Sequence, residues 1–196
     1  MWYGILGIIA FVLYFLYDIN SVRWKNRILN CSFFLGTAML VIATAGIILV
    51  SRGDERLIPM ADFGANLMTA LVLALGLAFA ALLVYTLFFA IPFEATYVKN
   101  MNNCPMVYKN GVYALCRHPG VLWFVGLFVC LGMEFSSTLV VSFGTLFCLL
   151  DVAYVIFQDR WTFMKTFEDY REYKTETPFL IPTKASIKKC LKSMKG

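Results

Sequence analysis

Five stretches of this chain, about residues 2–19, 28–50, 64–91, 119–134 and 137–157, are almost continuously apolar. A run of roughly 18 or more apolar residues is long enough to cross the hydrocarbon of a bilayer as a helix. The composition agrees, with 60% of residues hydrophobic and 15% charged, where a soluble domain has about half and a quarter. The sequence therefore predicts an all-α integral membrane protein with about five transmembrane helices. No basic segment precedes the first run and no small-x-small site follows it, so it is expected to remain as a helix rather than act as a cleaved signal. The fourth run is short for a full crossing. With the fifth it reads as a helical hairpin turning at Glu134–Ser137.

Lysine and arginine in the short connections set the expected orientation. Arg23, Lys25 and Arg27 follow the first run, and Arg52 and Arg56 mix with Asp54, Glu55 and Asp62 after the second. Lys99, Lys109 and Arg117 follow the third, and only Glu134 lies in the fourth connection. The tail carries Lys184, Lys188, Lys189, Lys192 and Lys195 without an acid among them. This alternation predicts a multi-pass protein with its N-terminus outside and its C-terminus cytoplasmic. It points to membrane lipids as partners and gives nucleic-acid binding no support. The six cysteines, Cys31, Cys104, Cys116, Cys130, Cys148 and Cys190, form no CxxC or CxH pair. Disulfides and a metal site are not expected.

The chain divides into three N-terminal spans over 1–92, two spans with a polar helix over 93–182, and a basic tail over 183–196. Ala70, Ala74, Ala78 and Ala81 form a small-residue stripe on the third span, expected to let another helix approach closely. The polar helix is predicted over 158–175, broken by Thr177-Pro178. In the tail, Ile187, Leu191 and Met194 share one helical face among lysines. Such a segment either lies on an anionic leaflet or stays a solvated, disordered tail.

Polar side chains at membrane depth point to function. Arg117-His118-Pro119 stands where a polar loop meets the fourth run, and His118 is the only histidine. Pro119 suits the first turn of a helix, where its missing N–H costs nothing. Asp151, Tyr154 and Gln158 fall at i, i+3 and i+7 on one helical face, with Asp159 beside it. An unpaired carboxylate at the depth of Asp151 is expensive, and Arg117 is its expected partner. Trp161, Phe163, Phe167, Tyr170 and Tyr173 form either an interfacial belt or the wall of a pocket able to hold a cation. Trp123, Asp151 and Tyr154, within the last two spans, are the candidates for contact with a substrate. There is no Gly-rich phosphate loop, no HExxH and no Ser/His/Asp set.

Three pieces stand in a fixed order around the hairpin. Gly111-Val112-Tyr113 leads to Arg117-His118-Pro119, and Gln158-Asp159-Arg160 follows the last span. Phe167-Glu168-Asp169-Tyr170-Arg171-Glu172-Tyr173 and Thr177-Pro178-Phe179-Leu180-Ile181-Pro182 complete the pattern. Over roughly residues 95–182 this resembles the isoprenylcysteine carboxyl methyltransferase superfamily, which also takes in phospholipid N-methyltransferases. The resemblance implies a membrane-embedded methyltransferase using S-adenosylmethionine, with a cytoplasmic-side C-terminal helix and a cofactor pocket. It implies a lipophilic acceptor, a prenylcysteine carboxylate or a lipid amine. The positions matching the family's cofactor site are Tyr113, Arg117, His118, Pro119, Gln158, Asp159, Tyr170 and Tyr173, with Arg117, His118 and Asp159 implied as catalytic. Two positions depart from the family: Val121 stands where an aromatic is usual, and Gln158-Asp159 replaces a Glu-Glu pair. Two other readings stay open, an NADPH-dependent membrane reductase of the steroid reductase type and a non-catalytic, lipid-binding relative.

Overall fold

The computed structural model describes residues 2–52, 64–90 and 105–194. Asp54, Glu55, Arg56, Asp62, Lys99, Cys104 and Lys195 lie outside the described residues. The elements are helices, with no β-strand among the described residues. Five apolar helices appear where the apolar runs predict them: α1 (Trp2–Ile19), α2 (Ser32–Ser51), α3 (Gly64–Phe88), α5 (Pro119–Phe135) and α6 (Thr138–Phe157). The short helix α4 (Val112–Leu115) precedes α5. Beyond α6 come α7 (Phe163–Thr166), α8 (Tyr170–Glu176) and α9 (Lys184–Ser193). Four of the apolar segments are long and apolar enough to cross a membrane, and α5, at 17 residues, is the shorter one.

Two compact units share the chain. The first comprises Met1–Phe79 and Val125–Ile156. Within it α1 and α2 form an antiparallel hairpin whose connection winds around Asn20. That side chain is fully buried, accepts from the Asn26 N–H at 2.9 Å and donates to Asn26 O and Asn30 Oδ1, each at 2.9 Å. A π-helical turn, Asn20–Trp24, ends at Lys25 with φ +53°, which turns the chain back. Gly36 of α2 lies so close to α1 that a Cβ there would sit 3.0 Å from the Ala10 carbonyl oxygen. Gly4 and Gly7 of α1 receive the rings of Phe143 and Phe147 from α6. Phe147 is fully buried, 6.3 Å from Phe11 and 6.0 Å from Phe128 between ring centres.

The α5–α6 hairpin turns where the sequence indicates. Ser136 takes a left-handed conformation with φ +46°, and its N–H donates to the Gly132 carbonyl at 2.9 Å. The Ser137 hydroxyl then accepts from the Leu139 N–H at 3.2 Å, starting α6 as an N-cap does.

Helix α3 packs by a different side from the one expected. Ala70, Ala74, Ala78 and Ala81 are exposed, whereas Val72, Gly76 and Thr86 are buried. In the first unit Gly76 lies against Cys130, and Phe79 covers Gly126 so tightly that a Cβ there would be 2.7 Å from its ring. The contact is made by placing large side chains over glycines of α5, so the alanines are not needed for close approach.

The second unit comprises Ala80–Phe124 and Phe157–Gly196. Here the polar helix expected over 158–175 is broken into pieces. A π-helical turn, Gln158–Thr162, runs into α7, and Phe167 is extended (φ −112°, ψ 131°) before α8 begins. The break frees Asp169 to take the Val107 N–H at 2.9 Å and the Lys109 ammonium at 2.9 Å. Those bonds hold the incoming segment 105–109, which a continuous helix could not do.

Over Lys184–Ser193 the tail is a docked helix. Thr183 and Ser186 form a reciprocal capping box, which satisfies N–H groups at the start of α9. Ser186 and Cys190 are buried, α9 packs on α4, and the Gly111 N–H donates to Ser193 Oγ at 3.0 Å.

Candidate functional site

The second unit draws together three segments far apart in sequence: Tyr113–Pro119, Gln158–Phe163 and Tyr170–Phe179. Two main-chain bonds fasten the first to the third, from Arg117 N–H to Pro178 O at 2.9 Å and from His118 N–H to Phe179 O at 3.3 Å. Pro178 and the extended residue before it hold these carbonyls outside a helix, as a proline requires.

Asp159 is the centre of the cluster and is buried. Arg117 Nε donates to its Oδ1 at 2.8 Å, Tyr170 donates to the same oxygen at 2.8 Å, and Lys174 Nζ donates to Oδ2 at 2.6 Å. Arg117 also donates through one terminal nitrogen to Thr177 O at 2.6 Å and Lys174 O at 3.1 Å. Charge-assisted bonds of this kind are roughly twice as strong as neutral ones. The carboxylate of Asp159 is therefore committed to two cations and a phenol.

Arg117 was expected to pair with Asp151, and the structure gives it Asp159 instead. Asp159 stands eight residues beyond Asp151, about 12 Å along a helix at 1.5 Å per residue, and in the same unit as Arg117. Asp151 and Tyr154 belong to the first unit, where the Tyr154 hydroxyl is hydrogen-bonded to Asp18.

His118 is buried, with its ring stacked on Phe163 (5.8 Å, 10°) and edge-on to Phe179 (5.1 Å). Its Nε2 lies 3.6 Å from Asp159 Oδ1, beyond hydrogen-bond length, and has no hydrogen-bond partner among the described residues. Thr177 Oγ1 is also buried without a partner among the described residues. Burial lowers the His118 pKa, and the Arg117 and Lys174 cations push the same way against Asp159, so the imidazole is neutral at pH 7.

The tyrosines act as donors. Tyr173 donates to Tyr113 O at 2.6 Å, and Tyr113 donates to Thr86 O at 3.0 Å. Burial pushes Tyr113 up to about 12 and raises Tyr170 and Tyr173 well above the ordinary phenol value. Burial likewise takes the Cys116 thiol to about 11, so it stays protonated. Trp123 donates from Nε1 to Thr86 Oγ1 at 3.0 Å, so its polar edge is used within the protein. Pro119 is fully buried as the first residue of α5, and Gln158 is half-buried at the start of the π turn.

Sequence reasoning left out Lys174 and Thr86, and took Thr177 and Phe179 only as part of a motif, not as site residues. Lys174 had a readable signal, since Tyr170, Tyr173 and Lys174 stand at i, i+3 and i+4 on one helical face. Thr86 and the carbonyl of Thr177 had none, because they act through backbone atoms or a hydroxyl in an apolar run. Compared with known protein families, characterised proteins and solved structures, the chain matches none.

Proposed function

We propose that this chain is a membrane-embedded methyltransferase that uses S-adenosylmethionine and acts on a lipophilic acceptor, a prenylcysteine carboxylate or a lipid amine. The single observation that carries the reading is His118. A buried polar atom left without a partner costs roughly 1–3 kcal/mol, yet His118 Nε2 has none among the described residues, although the Asp159 carboxylate beside it takes three close bonds. An ion-pair cluster serving only the fold gains nothing from it. A cluster awaiting a ligand does.

The residues fit such a donor. Phe163 and Phe179 flank His118, Tyr170 packs on Phe163 at 5.4 Å, and Thr177 Oγ1 offers a second unpaired polar atom. When bound, S-adenosylmethionine supplies an electrophilic methyl group on a cationic sulfur. Ring faces attract such a cation without neutralising it. The work left to the protein is alignment, which can supply a large part of the rate for an in-line displacement.

Asp159 serves this as a positioning residue: it fixes Arg117, Lys174 and Tyr170, and through Arg117 the Thr177 carbonyl. Arg117 holds the Arg-His-Pro turn to the Thr177–Phe179 segment. His118, neutral and with a free ring nitrogen, is the group able to accept a proton from an amine acceptor. A carboxylate acceptor needs no base. The five apolar helices cross the bilayer with the N-terminus outside, and the site lies at the cytoplasmic mouth of α5 and α6.

Full commitment of the Asp159 carboxylate favours a second reading, a relative that binds donor and lipid without turnover. Calorimetry on the detergent-solubilised protein tests the first step. S-adenosylmethionine is expected to bind and NADPH is not, and binding of NADPH alone would replace this assignment with the reductase. Incubation with radiolabelled donor and host membrane extract tests the second step. A labelled lipid or lipidated product supports the enzyme, whereas donor binding with no labelled product over a broad lipid panel supports the non-catalytic relative.

A further inference from the structure

The tail helix α9 has four distinct faces. One is docked: Ser186 and Cys190 are buried, and Ser193 accepts from Gly111 N–H. The next is apolar and open, with Ile187 43% exposed, Leu191 56% and Met194 62%. Beside it, Lys184, Lys188 and Lys192 stand at i, i+4 and i+8, all exposed. Lys189, on the remaining flank, pairs with Glu176 at 3.0 Å. Ile181, just ahead of the helix, is 81% exposed. No acidic residue occurs from Thr183 to the end of the chain.

We infer that α9 lies in the interface of an anionic leaflet, with Ile187, Leu191 and Met194 dipping below the headgroups and Lys184, Lys188 and Lys192 among the phosphates. Three observations choose this occupant. The apolar stripe borders a row of lysines whose long stems can reach upward while their stripe is submerged. The lysine row is uncompensated by acids, so it complements a negative surface and would repel a second copy of itself. The helix also rests on α4, which ends four residues before Pro119 opens an apolar helix, and this holds α9 near the level where that helix begins. The inference requires the membrane reading of the apolar helices and is independent of the methyltransferase reading.

The docked face and the flank beside it give the contact a consequence. Ser193 holds Gly111, at the start of the turn that leads to Arg117 and His118. Lys189 holds Glu176, which adjoins the Thr177 carbonyl bonded to Arg117. A leaflet that fixes α9 therefore braces both segments around His118.

Photocrosslinking of the full-length protein in nanodiscs tests the inference. p-Benzoylphenylalanine is placed at Leu191 in one protein and at Lys189 in another. The discs contain either phosphatidylcholine alone or phosphatidylcholine doped with phosphatidylglycerol, and tail peptides are read by mass spectrometry. The expected result is several-fold more lipid adduct at position 191 than at 189 in the anionic discs. The excess should shrink in neutral discs, at high salt, and in the exposed-site variant Lys184→Gln/Lys188→Gln/Lys192→Gln. A melting curve equal to that of the parent shows that this variant is folded. Equal lipid adduct at the two positions, adduct at 191 indifferent to lipid charge, or crosslinking of 191 to a second protein chain would each overturn the inference.

Discussion

His118 and Asp159 do different work, and substitution should separate them. Asp159 faces two cations inside the protein, so Asp159→Asn leaves Arg117 and Lys174 without their counter-charge. Breaking a buried pair from one side costs about 3–5 kcal/mol, and the melting temperature of the variant should fall together with donor binding. His118→Gln removes an unpaired nitrogen and should cost little stability while abolishing donor binding or transfer. Equal melting losses in both variants would show that His118 is part of the scaffold. The pH response has a definite sign. The folded-state pKa of His118 is lowered, so between that value and the ordinary ~6.5 the unfolded chain binds more protons than the folded one, and stability falls as pH drops below about 6.5. His118 is the only histidine, so melting curves taken below that pH should decline less steeply for His118→Gln than for the parent. The participants Arg117, His118, Asp159, Tyr170 and Tyr173 were legible in the sequence. The pairing of Arg117 was not, because sequence offers two carboxylates, Asp151 and Asp159, near the end of the last span, and which one meets Arg117 is decided by bonds to residues 170–177 that only the fold brings near.

Helices α1, α2, α3, α5 and α6 were legible almost to their ends because composition alone marks an apolar run. What sequence could not supply is which face of a uniformly apolar helix is buried. On α3, leucine and alanine surround the axis on all sides, and the side that packs is decided by Gly126 and Cys130 on another helix. Two substitutions of similar kind should therefore differ. Gly126→Val drives a methyl into the Phe79 ring and should cost about 1–3 kcal/mol, whereas Ala78→Leu, at an exposed site, should stay within about 0.5 kcal/mol. Melting curves of the two variants in one detergent compare them directly. Gly111 makes a third case. Its φ of +59° and ψ of −136° suit glycine alone, and open space lies around the position of a Cβ. Gly111→Ala should cost about 1–3 kcal/mol through the backbone only, and the loss should show in melting without any change of packing. The polar helix was misread for a related reason. Residues 158–175 contain no glycine or proline to mark an interruption, and the break at Phe167 lets Asp169 reach partners at 107 and 109 that are distant in sequence.

At the scale of the molecule, the orientation proposed from the basic connections is open to a direct measurement. A cysteine introduced at Arg52 should react with an impermeant reagent added outside intact cells, and one introduced at Lys188 should react only after permeabilisation; the reverse pattern would invert the topology. The knot around Asn20 bears on how such a molecule is made. All its bonds reach residues no more than ten positions away, and a loop of that size closes in roughly 10–100 ns. Synthesis adds residues at about 5–20 per second, so the knot can tie as soon as Asn30 leaves the ribosome, long before α3 exists. The reversal of the chain between its first two apolar helices can therefore be set before the second has emerged, and its local hold rests on one amide side chain.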